Sequence, residues 1–363
     1  MTLKHGIASV PTACRILSGI DEELFLYAFM EWAGEIVNTK EAHIAIDGKA
    51  LRGACDKART FRPPMLMNVV ETATGFVMAQ LPMDTKDNEI TSIPQVLRLL
   101  ALKGSTITID AIGTQTSIME QIHSQGGHFV LMVKKNQSGA YEEIREIMEA
   151  MTADYAIKKA GGIPSFPDLL QKYDEVKTHE VNRERHEYRI CRTLCDVSAI
   201  NKSRKEWPYI KCIGWVEQVR VPIERDAERN DITPSKEEFV KNGSRRSPLP
   251  SSSEEGVGKD IQKVAMISDL TLSAKEMAGI KRLHWSIENR LHHVLDDTFR
   301  EDRSPAKKSR NSLAIIRKFA YNILRLSMKS EGDGDVMTEM MDRFCDDPQL
   351  MQRFVFDGIP ALY

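Results

Sequence analysis

His284-Trp285-Ser286-Ile287-Glu288-Asn289-Arg290-Leu291-His292-His293-Val294-Leu295-Asp296 is the stretch on which the reading of this chain turns. A spacing of four places His284, Glu288 and His292 along one face of a helix, with Trp285, Leu291 and Leu295 supplying apolar packing. A helix this rich in His, Glu and Arg is costly to bury without a task for those groups. Two bland readings compete with a functional one. The helix is an exposed polar surface, or His284, Glu288 and His292 hold zinc, although no HExxH pattern is present.

Working outward, two apolar runs each stop on an aspartate. His43-Ile44-Ala45-Ile46-Asp47 reads as a short strand that breaks at Gly48, and Thr106–Asp110 reads as another ahead of a helix from about Thr114 to Ser124. Either aspartate alone is as readily a turn residue, and Asp110 a helix N-cap. Together, on strands expected to be sheet neighbours, they lie where an open α/β sheet exposes functional groups. Two aspartates and a glutamate form a hard-oxygen set that suits Mg²⁺ or Mn²⁺ rather than zinc. Two such ions ~4 Å apart would activate the attacking oxygen and stabilise the leaving oxygen of a phosphodiester displacement.

The rest of the chain supplies a frame. Residues 1–40 read as a helical N-terminal segment with Leu24, Phe25, Ala28, Phe29 and Trp32 at helical spacing. Pro64–Thr72 and Phe76–Leu81 form strands joined at Thr74-Gly75; Ile90–Leu102 reads as a helix and His128–Val133 as a buried strand. The order predicts an α/β fold: a mixed sheet flanked by helices over 41–154, resuming at 263–330. Between them, 155–262 reads as a β-rich insertion, with strands at Glu187–Leu194 and Tyr209–Val221 and a mobile Gly/Ser/Pro loop at 242–259. A helical tail, acidic over 331–363, closes the chain.

A net charge of −2 with 42% hydrophobic and 28% charged residues describes an ordinary globular protein. No apolar run approaches the ~18–20 residues of a membrane span, and no signal-peptide core follows Lys4 and His5, so a cytoplasmic protein is expected. Six cysteines lack CxxC spacing and read as reduced thiols. Charge is uneven: eight Lys and Arg lie between Arg303 and Lys329 with no Asp or Glu among them. That basic segment is a candidate DNA contact.

These motifs together resemble the H-repeat-associated branch of bacterial insertion-sequence DDE transposases. The matching stretches are Ile44-Ala45-Ile46-Asp47-Gly48-Lys49 with Leu51-Arg52-Gly53, Asn88-Glu89-Ile90 with Ile93-Pro94, Ile109-Asp110-Ala111, and Val133-Lys134-Lys135-Asn136-Gln137. The most specific is His284-Trp285-Ser286-Ile287-Glu288-Asn289, continuing to Phe299-Arg300-Glu301-Asp302. The resemblance runs from about residue 5 to 328. It implies a ribonuclease-H-like catalytic domain and a catalytic, metal-binding triad of Asp47, Asp110 and Glu288 with Mg²⁺ or Mn²⁺, two ions. It further implies hydrolysis at an element's end followed by attack of the freed 3′-hydroxyl on target DNA, carried out by a homodimer on DNA. The 178 positions from Asp110 to Glu288 (288 − 110) fit the family's β-strand insertion. Gly6-Ile7-Ala8-Ser9 resembles a stretch lying further inside such proteins, so the N-terminus is expected to be the remnant of a longer one. Lys49, Arg52, Lys134, Lys135, Asn136, Lys307, Lys308, Arg310 and Arg317 are candidate DNA contacts. His284, Arg290 and His292 flank the glutamate and are candidates for orienting it or the DNA. Trp285 is expected in the core, and Glu301 and Asp302 at a solvent-facing or N-cap position.

Overall fold

The computed structural model describes residues 9–54, 63–83, 89–134, 138–182, 185–198, 200, 207, 209–223, 261–331 and 336–356. The loop at 242–259, together with Lys135 and Asn136, lies outside them. The chain divides into two compact units, one of Met1–Met132, Glu206–Tyr209 and Gly279–Tyr363, the other of Val133–Lys205 and Ile210–Ala278.

The first unit opens with α1 (Val10–Ser18) and α2 (Glu22–Ile36), the latter capped by Asp21, whose carboxylate accepts from the Glu23 and Leu24 N–H groups. Its sheet has the order β3-β2-β1-β4-β5. β1 (His43–Ala50) pairs antiparallel with β2 (Met65–Glu71), and β2 with β3 (Phe76–Met83). β4 (Thr106–Ile109) runs parallel to β1, and β5 (His128–Val133) parallel to β4. The order and directions make the ribonuclease-H-like sheet expected from the sequence. α3 (Glu89–Arg98) and α4 (Thr116–Ser124) connect its strands. The Thr74-Gly75 hairpin forms as expected, with Gly75 at φ 76°, a left-handed position that suits glycine. One detail differs. β1 does not break at Gly48: Gly48, Lys49 and Ala50 stay paired with Met67, Leu66 and Met65. An antiparallel partner that extends past the end of the parallel one carries the strand through the glycine.

The second unit holds α5 (Ser138–Lys159), a helix the sequence reading lacked, and an antiparallel run of β6 (Tyr173–Asn182), β7 (Arg185–Leu194), β8 (Cys212–Pro222) and β9 (Gln262–Ser268). β6 was not expected either; its sequence is mostly polar.

The chain then enters α6 (Ala274–Ile287), passes through a π-helical turn (Glu288–His292) into α7 (His293–Asp297), and ends with α8 (Arg310–Glu331), α9 (Met337–Asp346) and α10 (Pro348–Phe356). Ala45, Val70 and Val77 from the sheet share a core with Phe29, Ile287, Leu291, Leu295, Tyr321, Leu324 and Phe344. Burial stabilises by roughly 1.5–3 kcal/mol for each Leu, Ile or Phe. The same core fixes the helix carrying Glu288 to one sheet face. α8 is therefore not the basic surface helix expected. Its Lys318 is fully buried, and its Asn322 amide bonds both backbone groups of Val77 on the edge strand at 2.8–2.9 Å. Among the described residues, no helix is long and apolar enough to cross a membrane.

Candidate functional site

Register brings the two aspartates together. Ala45 stands opposite Thr108 and Ile46 opposite Ile109, so Asp47 and Asp110 follow as the next residues of neighbouring parallel strands. Side chains alternate along a strand. His43, Ala45 and Asp47 therefore share a face with Thr106, Thr108 and Asp110, the face on which Ala45 meets Ile287 and Leu291. Asp47 is half-buried and accepts from the Gly48 N–H at 2.9 Å. Asp110 is half-buried and leads into the short 3-10 turn Ala111–Gly113, but its side chain makes no capping bond. The N-cap reading of Asp110 falls on that observation.

The helix crosses this face. His284 is buried, its Nδ1 2.9 Å from the Thr108 hydroxyl. Further along, His292 accepts at Nε2 from the Asn68 amide nitrogen at 3.2 Å, which leaves its ring proton on Nδ1, 3.7 Å from the Asp47 carboxylate. Burial, then repulsion from Lys49 and Lys318, pushes the His292 pKa down to about 3. The ring is neutral at pH 7, so it faces Asp47 without cancelling its charge.

Glu288 lies between the two histidines in sequence and begins the π-helical turn, whose extra residue is closed by the His293 N–H reaching the Glu288 carbonyl. Such turns are rare and recur at functional sites. The Glu288 side chain is exposed. Among the described residues, no group of three or more His, Cys, Asp or Glu is gathered closely enough to hold a metal ion, so Glu288 does not converge on the two aspartates here. His284 and His292 are engaged by Thr108, Asn68 and Asp47 rather than converging with Glu288 as a zinc set.

The flanking candidates separate clearly. Lys49 is buried, with its amine 2.6 Å from Asp296, 3.4 Å from Glu301 and 3.8 Å from Asp302, so it is withdrawn from any phosphate. Glu301 corrects a second expectation: it is 3% exposed, not solvent-facing, and sits 3.7 Å from the amine of Lys318. Burial brings that lysine down to about 8 against the pull of Glu301. Asp302 accepts the Arg52 N–H at 3.1 Å, and a side chain at Gly53 would collide with the Asp302 carbonyl. Gly53→Ala is therefore expected to lower the melting temperature by several degrees, because the neighbour is backbone and cannot rotate away. An unchanged melting curve would show that the Glu301–Arg303 turn is free to shift.

Arg317 is half-buried, donating to the Phe299 carbonyl at 3.3 Å, and Arg310 is partly covered. Arg52, Lys134, Arg290, Lys307 and Lys308 are exposed. Trp285 is half-buried, with the Lys281 amine 3.7 Å over its ring, a cation–π contact.

Sequence reading missed His43, Asn68 and Thr108. Their signal was parity: His43 shares the Asp47 face and Thr108 the Asp110 face. His43 bonds the Thr72 hydroxyl at 2.9 Å through Nδ1 and the Thr108 hydroxyl at 2.8 Å through Nε2. Burial, then His284, pushes its pKa down to about 3. An unfolded histidine titrates near 6.5, so between these values the unfolded state binds more protons and stability rises with pH. The contribution is present above pH ~6.5 and is lost as pH falls toward 3. Melting curves are expected to drop progressively below pH 6.5, and less steeply in His43→Gln. Equal slopes in the two proteins would remove His43 as the cause.

Comparison with known proteins adds the following. A family model described as "Transposase DDE domain" matches residues 38–323. The chain is 30% identical over 335 residues to "Putative transposase YncI" of Escherichia coli O157:H7, covering 88% of this chain and 72% of that protein. It is 27% identical over 325 residues to "H repeat-associated putative transposase YhhI" of Escherichia coli strain K12, covering 88% and 74%. Among solved structures, a piggyBac transposase synaptic complex with hairpin DNA aligns at a TM-score of 0.43 and 11% identity, over 98% of this chain and 65% of that one.

Proposed function

Because the chain belongs to the DDE-domain transposase family, we propose that it is a divalent-metal-dependent enzyme that cuts and joins DNA strands, using Asp47, Asp110 and Glu288. The carrying observation is that Asp47 and Asp110 are consecutive to a paired register on one sheet face, the face crossed by the helix of Glu288. The donor set fits Mg²⁺ or Mn²⁺: all three ligands are carboxylates, which offset ion charge while leaving positions for water and phosphate. Bound ions would supply Lewis acidity to the attacking and leaving oxygens. The chain's own part is to hold the ligands. Asp47 is steadied by the Gly48 N–H and faced by His292, while Leu291 and Leu295 anchor the Glu288 helix in the core.

DNA ends and target are the expected partners, engaged by a homodimer. The exposed cations Arg52, Lys134, Arg290, Lys307 and Lys308 would meet phosphates. The Lys307→Ala/Lys308→Ala pair is expected to weaken binding at every sequence and lower the salt slope by up to about 2. An unchanged slope in a salt titration would remove both lysines from the interface.

The deciding experiment is a Mn²⁺-dependent cleavage and strand-transfer assay on DNA carrying the gene's own flanking repeats. Cleavage with joined product supports the proposal. Cleavage without joining indicates a nuclease, and binding without cleavage indicates a remnant that has kept only its DNA contacts.

A further inference from the structure

On the sheet face that carries Asp47 and Asp110 lies a buried trio that the reaction as proposed does not use. Thr108 offers one hydroxyl to two histidine rings, His43 Nε2 at 2.8 Å and His284 Nδ1 at 2.9 Å, with the Ile44 carbonyl at 3.5 Å. A hydroxyl has one proton and two lone pairs. In one assignment compatible with these distances, both rings donate to Thr108, Thr108 donates to Ile44, and the Thr72 hydroxyl donates to His43 Nδ1. His284 and Thr108 are almost fully buried, at 2% and 0% exposure, so these bonds are shielded from competing water.

The placement is systematic. Thr108 precedes Asp110, the residue that follows β4, by two; its partner in register, Ala45, precedes Asp47 by two on β1. His284 precedes Glu288 by four on the helix. Two strand residues rise ~6.6 Å, and four helical residues ~6 Å. The rise from Thr108 to Asp110 and from His284 to Glu288 is therefore similar, while His43 stands four residues before Asp47, about 13 Å along its strand.

We infer that Thr108, bridging His43 and His284, is a positioning residue that fixes the Glu288 helix against the two aspartate strands and thereby sets the affinity of the carboxylate site for divalent metal. The inference rests on the metal-triad reading above. A purely structural role would change stability alone. A positioning role changes how much metal the site needs.

Thr108→Val keeps the shape and removes the hydroxyl; Thr108→Ser keeps the hydroxyl. Melting temperature is followed across a Mn²⁺ titration of the metal-free protein, since a ligand stabilises the state that binds it. Asp110→Asn serves as the blank that identifies the response of the triad. Thr108→Val is expected to raise the Mn²⁺ concentration at half-maximal stabilisation by about tenfold, the usual cost of losing a group that orients ligands. Thr108→Ser is expected to recover most of it, and cleavage at saturating Mn²⁺ to recover in both. A midpoint in Thr108→Val equal to that of the parent overturns the inference. Should Thr108→Val fail to fold, the comparison moves to the helix: His284→Asn keeps a polar nitrogen near the Nδ1 position, and His284→Leu does not. Equal midpoints there also overturn it. A parent response that Asp110→Asn leaves intact overturns the triad reading itself, which is a separate failure.

Discussion

Asp110→Asn is expected to abolish DNA strand cleavage while leaving DNA binding and folding close to those of the parent. Asparagine keeps the size and one oxygen of the side chain but loses the charge that holds a divalent ion. A metal site supplies several kcal/mol of transition-state charge stabilisation. At ~4 kcal/mol the loss amounts to about a thousandfold in rate. The substitution is chosen because it separates roles. Asparagine caps helices about as well as aspartate, so a capping Asp110 would tolerate the change, and the absence of a capping bond already points away from that role. Binding should persist, because the cations proposed to meet phosphates lie elsewhere on the surface. Single-turnover cleavage with Mn²⁺, beside a gel-shift titration at fixed salt, reads both properties. Cleavage by the mutant at the parental rate would end the assignment. Asp47→Asn, on the adjacent strand, should behave alike. Glu288→Gln should too, and it tests whether an exposed glutamate joins the aspartates once metal and DNA are present.

How far the sequence reached follows from which interactions are local. The helix around His284 was readable from its local pattern, but the shared face was not: His284 is buried while Glu288 is exposed, and the π-helical turn that begins at Glu288 breaks the spacing of four. The neighbouring aspartates were readable because two apolar runs ended on the same residue type. What was illegible depends on contacts between residues far apart in sequence. β1 continues through Gly48 because β2 extends beside it, and Gly48 alone reads as a break. β6 is rich in Asp, Glu, Lys and His, and only its pairing with β7 makes it a strand. The cations of α8 looked like a basic surface because charge was counted without the apolar positions between them. Tyr321, Leu324 and Met328 pack in the core, so the helix is central and Lys318 points inward with them. Glu301 follows Arg300, which takes a left-handed φ of 52°, an uncommon conformation for a residue with a side chain. That bend turns Glu301 inward, and no local pattern announces it.

Glu301→Met is expected to destabilise the fold by about 3–5 kcal/mol, the usual consequence of removing one partner from a buried ion pair. Glu301 stands 3.4 Å from the amine of Lys49 and 3.7 Å from that of Lys318. Lys49 retains Asp296 at 2.6 Å when Glu301 is lost. Lys318 is fully enclosed and, among the described residues, keeps no comparable anion, so the penalty falls mainly on that residue. Replacing both members, Glu301→Met with Lys318→Met, should therefore recover much of the loss, because apolar groups of similar volume often replace a buried pair without cost. The pH dependence has a definite sign. Lys318 titrates at about 8 in the fold and near 10.4 when unfolded. Between those values the unfolded chain binds more protons, so the parent should gain stability as pH rises through that window. Below pH 8 the lysine is charged and depends on Glu301; above it the amine is neutral and depends on it less. The single mutant should consequently be weaker relative to the parent at pH 6 than at pH 9. Urea midpoints at the two pH values, for parent, single and double mutants, test this directly. A penalty independent of pH, or a double mutant no better than the single, would place the cost in lost packing and not in the stranded charge.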